Sequence, residues 1–184
     1  MNFNQKNEDK DGVKKKSPMD AALGYLGYRD RTSQEIKLYL REREYSAEEI
    51  ESTIDYLSDM NYLNDEAYVK KYMEYGISKG KGMAKIKNEL RIKGVDRELI
   101  NDIFLTVDFF DSSSERERAY EQALKIIANS PIKDGTEFNS TTYGERMERR
   151  KDIQRMKAKV ARRLEALGYS YDTITTVLDR VFNN

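Results

Sequence analysis

The 184-residue chain contains no cysteine and no histidine. Without cysteine there is no disulfide and no thiolate metal site, so a reducing compartment is the expected setting. Without histidine the commonest general base and the commonest transition-metal ligand are missing, which removes most hydrolase triads and zinc sites. Two prolines and ten glycines leave long uninterrupted stretches for helix. No apolar run approaches the roughly 18 residues needed to cross a bilayer, and the opening "MNFNQKNEDKDGVKKK" lacks the apolar segment of a signal peptide. The expectation is a cytoplasmic protein with no membrane partner. Residues 1–16 are polar, mixed in charge and without apolar periodicity, and read as a disordered tail. Hydrophobic residues make up 38% of the chain and charged residues 36%, a balance that suits several small units better than one large core.

Apolar residues recur at intervals of three and four almost throughout, with hardly any of the alternation a strand needs, so the fold class is all-α. The helices also repeat. "IKLYLREREYSAEEIESTI" from Ile36, "IKNELRIKGVDRELINDIF" from Ile86 and "VARRLEALGYSYDTITTVL" from Val160 align without a gap, at offsets of 50 and 124 residues. Each block reads helix, stop, cap, helix. Gly94 and Gly168 stand where a helix ends in the left-handed conformation. Ser46, Asp96 and Ser170 are placed as N-caps, with Glu49 completing a capping box. Tyr45 with Ile50, Val95 with Ile100 and Tyr169 with Ile174 are spaced as hydrophobic staples. One further helix precedes each corner: from Ser17 and Pro18, from Asn64, and from near Ser114. The expected organisation is a tail (1–16) and three tandem three-helix repeats (17–63, 64–111 and 112–184), the last with a polar insertion near 130–147.

Charge sums to zero but is segregated. Residues 42–74 carry ten acidic and three basic side chains, net minus seven; residues 76–100 carry seven basic and three acidic, net plus four; residues 145–168 carry nine basic and four acidic, net plus five. The middle helices of the second and third repeats are the basic ones. At ~100° per residue, Met83, Ile86 and Leu90 face inward, leaving Lys87 and Arg91 on one flank and Lys85 on the other. In the third repeat Ile153, Met156, Val160, Leu164 and Leu167 form the inward stripe, with Lys151, Arg155 and Arg162 pointing away. Lys79, Lys81, Lys85, Lys87, Arg91, Lys151, Arg155, Lys159 and Arg162 are the candidate partner-binding residues. They serve either an acidic partner surface or phosphates, or they are a solvated face.

Other chemistries find little support. "GKGMAK" lacks the Gly-Lys-Ser/Thr ending of a nucleotide loop and follows a helix, so Gly80 and Gly82 are read as ending one helix and turning into the next. A helix-turn-helix reader would bring the first turn of each last helix to DNA, but Glu48, Glu49, Asp96, Glu98 and Asp172 stand there and repel phosphate. Tyrosines 25, 28, 39, 45, 56, 62, 68, 72 and 75 sit mostly at helical spacing and are read as core and hinge packing. No nucleophile has a base beside it in a recognisable motif, and no cofactor or metal is expected.

The stretches "YLNDEAY", "KGKGMAKIKNELRIKGV" and the closing "LGYSYDTITTVL" resemble the RecX family of bacterial regulators of the RecA recombinase, a likeness running from about Asp20 to Phe182. The resemblance implies an elongated, curved, all-helical monomer of three-helix repeats. Such a protein would lie along the groove of the RecA filament on single-stranded DNA, bridge protomers, and dampen ATP hydrolysis, strand exchange and coprotease activity. It implies no catalytic residues. The alternative is a helical repeat protein that occupies single-stranded DNA directly. Two departures stand out: Glu44 where the other corners have glycine, which requires a strained or differently shaped helix end, and the polar insertion.

Overall fold

The helix stops and caps legible in the sequence divide the chain in a computed structural model that describes residues 16–106, 112–130 and 142–183. Residues 1–15 of the expected tail and residues 131–141 of the polar insertion lie outside the described residues. Among the described residues there are nine α-helices and no strand: α1 Pro18–Leu26, α2 Ser33–Arg41, α3 Ala47–Asp59, α4 Asp65–Ser78, α5 Met83–Ile92, α6 Arg97–Thr106, α7 Ser112–Ala128, α8 Tyr143–Ala166 and α9 Tyr171–Phe182. No described helix is long and apolar enough to cross a membrane.

The caps at Ser17, Thr32, Ser46, Asn64 and Ser170 lie where the sequence places them. Ser17, Thr32, Ser46 and Ser170 each accept a backbone amide from the first turn of α1, α2, α3 and α9, and Thr32–Glu35 and Ser46–Glu49 close full capping boxes. Asn64 does the same for α4 through the Ala67 amide. One further box lies within the expected polar insertion. Thr142 and Glu145 cap α8, so Tyr143–Met147, expected within the polar insertion, form the first turn of a 24-residue helix. An all-exposed turn has no apolar pattern to reveal it.

Helix ends follow one device. At the ends of α2, α3, α4 and α8 the residues Glu44, Asn61, Gly80 and Gly168 take positive φ, and each donates its amide three residues back. The next residue reaches five back: Tyr45 to Leu40, Tyr62 to Leu57, Lys81 to Gly76 and Tyr169 to Leu164. This is the Schellman geometry, which satisfies the last carbonyls of the helix. Glu44, with φ 59°, therefore adopts the conformation glycine has at Gly94 and Gly168, and the first corner is strained, not reshaped.

The aligned apolar positions are the core. Ile36, Ile86 and Val160 are fully buried, as are Leu40, Leu90 and Leu164. The inward stripe of α8 is shorter than its spacing suggests. Met156, Val160 and Leu164 are buried, but Ile153 is 37% exposed because the first turns of α8 carry only exposed side chains.

Two compact units emerge: residues up to Tyr68 with Lys93–Asp96, and Val69–Ile92 with the chain from Arg97 onward. The first is built on Ala21, Ala22, Ile36, Leu40, Ile50, Ile54, Leu57 and Leu63. The second contains a core of Ala119, Ala123, Met156, Val160, Leu164, Tyr169, Ile174 and Val177. Each unit contains the same junction. In the first, the Thr32 hydroxyl donates to the Lys93 carbonyl at 2.7 Å, and Asp65 accepts the Ser33 amide at 2.9 Å. In the second, the Gly82 amide donates to the Leu167 carbonyl at 2.7 Å, and Glu115 accepts the Met83 amide at 2.9 Å. Thr32 and Gly82, Ser33 and Met83, and Asp65 and Glu115 are equivalent positions at the 50-residue offset. The start of a middle helix is thus docked on a following corner, and its exposed first amide is satisfied by a following acid.

Candidate functional site

All nine candidate cations fall in the second compact unit. Helix α5 carries Lys85, Lys87 and Arg91, with Lys79 and Lys81 in the joint before it; α8 carries Lys151, Arg155, Lys159 and Arg162. The two helices are clamped end to end. Besides the Gly82–Leu167 bond, the Lys85 Nζ donates to the Ala166 carbonyl at 2.8 Å, placing a positive charge on the carbonyl end of α8, where the helix dipole favours it. Gly82 was expected to permit a turn, but its φ is ordinary and its role is proximity. A Cβ there would stand 2.5 Å from the Gly168 carbonyl oxygen and 2.8 Å from the Tyr169 nitrogen, so only glycine lets the α5 joint approach the α8 corner this closely. Tyr169 completes the clamp by donating its hydroxyl to the Gly80 carbonyl at 3.1 Å. Burial pushes its pKa up to about 12.

The nine cations divide into two groups. Lys81 pairs with Glu89 at 2.6 Å, and the Tyr72 hydroxyl donates to the same carboxylate at 2.9 Å. Burial pushes Glu89 upward, but the hydrogen bonds from Lys81 and Tyr72 outweigh it and hold the carboxyl below its ordinary value. Lys87, expected on a solvent-facing flank, is half-buried: its Nζ donates to Asn101 Oδ1 at 3.0 Å and sits 4.8 Å from the Phe104 ring centre. Burial, then the charge of Arg91, lower its pKa. Lys159 is half-buried and donates to Ser130 Oγ at 3.1 Å. These three and Lys85 are spent inside the unit. Lys79, Arg91, Lys151, Arg155 and Arg162 are exposed. Among these, Arg155 meets Asp152 at 3.1 Å, Arg162 donates to its own helix at Ala158, and Lys79 lies over Tyr75.

Three further exposed cations, Arg146, Arg149 and Arg150, stand on the first turns of α8, outside the set that the helical pattern points to. The signal for them was present as Thr142-x-x-Glu145, a capping box just before the run. The tyrosine expectation is corrected in part. Tyr25, Tyr39 and Tyr45 pack against the first core, whereas Tyr28, Tyr56, Tyr62 and Tyr75 are exposed, Tyr28 at 85% because it lies beyond the end of α1.

Comparison with known proteins agrees with this architecture. Two family models match, described as RecX, first three-helix domain, over residues 19–57, and RecX, second three-helix domain, over residues 64–102. The regulatory protein RecX of Bacillus subtilis is 26% identical over 171 residues, covering 92% of this chain and 57% of that protein. The regulatory protein RecX of Lactococcus lactis subsp. lactis is 29% identical over 160 residues, covering 86% of this chain and 52% of that protein. The chain therefore spans little more than half the length of the curated relatives it matches. The crystal structure of RecX from Lactobacillus salivarius superposes with a TM-score of 0.70 at 26% identity, covering 91% of this chain and 96% of that one.

Proposed function

This chain belongs to the RecX family of regulatory proteins, and we propose from that premise that it binds the RecA filament on single-stranded DNA along its groove and dampens ATP hydrolysis, strand exchange and coprotease activity. One observation carries the reading: α5 and α8 are clamped at Gly82–Leu167 and Lys85–Ala166 within one compact unit. Exposed cations from two repeats are thereby held in fixed relation. Contacts so linked form at high effective concentration once the first is made, which raises avidity by roughly a hundredfold or more and favours an assembled filament over a single protomer. The contact set is Lys79, Arg91, Lys151, Arg155 and Arg162, with Arg146, Arg149 and Arg150 beside them on α8. Lys81, Lys85, Lys87 and Lys159 shape the unit that presents them. No residue is assigned a catalytic role, and regulation acts through binding.

The test is binding of the purified chain to assembled filaments, free RecA and bare single-stranded DNA at two salt concentrations. Preference for filaments supports the reading. Equal affinity for bare single strands and filaments would support direct occupation of DNA in its place.

A further inference from the structure

In the first compact unit four side chains form a single column. Tyr25 and Tyr39 stack with ring centres 3.8 Å apart and planes 4° from parallel. The Arg31 guanidinium lies 3.8 Å from the Tyr25 ring centre, and the Arg43 guanidinium lies 3.6 Å from that of Tyr39. Stacking of this closeness draws each cation to a π face. The two ends differ. Arg31 is partly buried, and its Nε, shielded from water, has no hydrogen-bond partner. Arg43 is exposed, held by its Nη1 donating to the Tyr39 carbonyl at 3.3 Å.

Arg43 and Tyr39 also line a cavity of about 420 Å³ whose other walls are Lys16, Asp20, Ala21, Gly24, Tyr28 and Tyr45. That volume is in the range of small-ligand sites, roughly 300–1,000 Å³. The walls are tied down: the Tyr45 hydroxyl donates to the Lys16 carbonyl at 2.6 Å, and the Ser17 hydroxyl donates to Asp20 at 2.7 Å. Both faces of Tyr39 are taken, by Tyr25 and by Arg43, so Tyr28, Tyr45 and the outer face of the Arg43 guanidinium supply the π surface. Lys16 and Arg43 supply positive charge, and Asp20 supplies one acceptor. A bare inorganic anion would gain from the cations but would meet Asp20 and leave the aromatic walls unused. A flat heterocycle carrying an exocyclic amine and a linked phosphate uses all three features, since aromatic and guanidinium faces accept any base and the carboxylate accepts its amine.

We propose that this cavity is a nucleotide site, taking an amine-bearing base against Arg43, Tyr28 and Tyr45 and its phosphate on Lys16 and Arg43. The nucleotide is either free or one unit of a single strand. The site shares no residue with the nine cations of the second unit, so bare single-strand binding that Arg43→Lys removes belongs to this site and is distinguished from the filament contacts.

The experiment titrates the full chain with dAMP, dTMP, deoxyadenosine, inorganic phosphate and a short oligodeoxyadenylate, followed by calorimetry and by tyrosine ring NMR signals. Saturable binding of dAMP or of the oligonucleotide is expected. Deoxyadenosine and dTMP should each bind about tenfold more weakly than dAMP, and inorganic phosphate weakest of all. Binding of dAMP alone identifies the free nucleotide as the ligand, and binding of the oligonucleotide alone identifies a strand unit. Arg43→Lys keeps the charge but loses the flat face. It should weaken binding about tenfold or more, and Tyr28→Ala, at an exposed position, should do so within the same range, with unchanged thermal melting in the latter. Absence of saturable binding by both dAMP and the oligonucleotide would overturn the proposal. So would affinities for them that neither variant changes, or inorganic phosphate binding as well as dAMP.

Discussion

The Gly82 amide donates to the Leu167 carbonyl at 2.7 Å, and no side chain larger than hydrogen fits between Gly82 and the Gly168 backbone. The start of the second repeat's basic helix and the corner of the third are joined at this contact. Gly82→Ala must therefore displace backbone and should cost about 1–3 kcal/mol, the usual range for overpacking. Gly144→Ala is the control. It lies in α8 with nothing within 4 Å of a built Cβ, and should be neutral or stabilise by up to about 1 kcal/mol. Chemical denaturation of the two variants separates close approach from glycine content.

The corners test backbone strain. Glu44 sits at φ 59° and Gly94 at φ 79°. Left-handed backbone costs a non-glycine residue roughly 1–2 kcal/mol, partly offset by the unfolded-state entropy a new glycine adds. Glu44→Gly should stabilise by about 0.5–1 kcal/mol. Gly94→Ala should destabilise by about 1 kcal/mol or more, since its Cβ would also press on Gln34. Midpoints moving in the opposite directions would remove this account of the corner.

Much of this was legible in the sequence because the fold repeats. A core position that recurs as Ile36, Ile86 and Val160 announces itself, and the alignment of Glu44 with Gly94 and Gly168 marks its helix end as strained or differently shaped, a choice its φ of 59° settles as strained. Asn61, at φ 59°, had no glycine counterpart to reveal it. The division of the cations was not legible. Lys85 and Lys159 are spent on Ala166 and Ser130, far along the chain, and Lys87 on Asn101 of the next helix. Helical periodicity gives the direction of a side chain from its own helix, not what another helix brings to meet it.

Lys87 and Arg91 accordingly part company under charge reversal. Lys87→Glu buries a carboxylate beside Phe104 and removes the bond to Asn101, and should cost about 1–3 kcal/mol. Arg91→Glu, at an exposed position, should stay within about 0.5 kcal/mol of the parent. Thermal melts at one pH decide this without any partner.

Tyr169 makes stability fall at high pH. Burial raises its folded pKa to about 12 from the ordinary tyrosine value of 10.0, so between these values the unfolded chain releases a proton that the folded chain retains. The contribution is fully present below pH 10.0 and is lost as pH rises toward about 12. Tyr169→Phe should flatten that decline relative to the parent while lowering stability near neutrality by about 1 kcal/mol through loss of the bond to Gly80. Parallel pH profiles of the two proteins would contradict the burial of this hydroxyl.

The central claim, that cations of two repeats held in one unit engage neighbouring protomers, is tested most directly by dissociation from RecA filaments on single-stranded DNA. The proteins to compare are the parent and Lys151→Glu/Arg155→Glu/Arg162→Glu, all three at exposed positions of α8. The account predicts an unchanged melt, dissociation faster by about tenfold or more, and a weaker dependence of the rate on salt, because lost bridging appears chiefly in the off-rate. Equal dissociation rates for parent and variant at low and moderate salt would contradict it and leave these side chains as a solvated face.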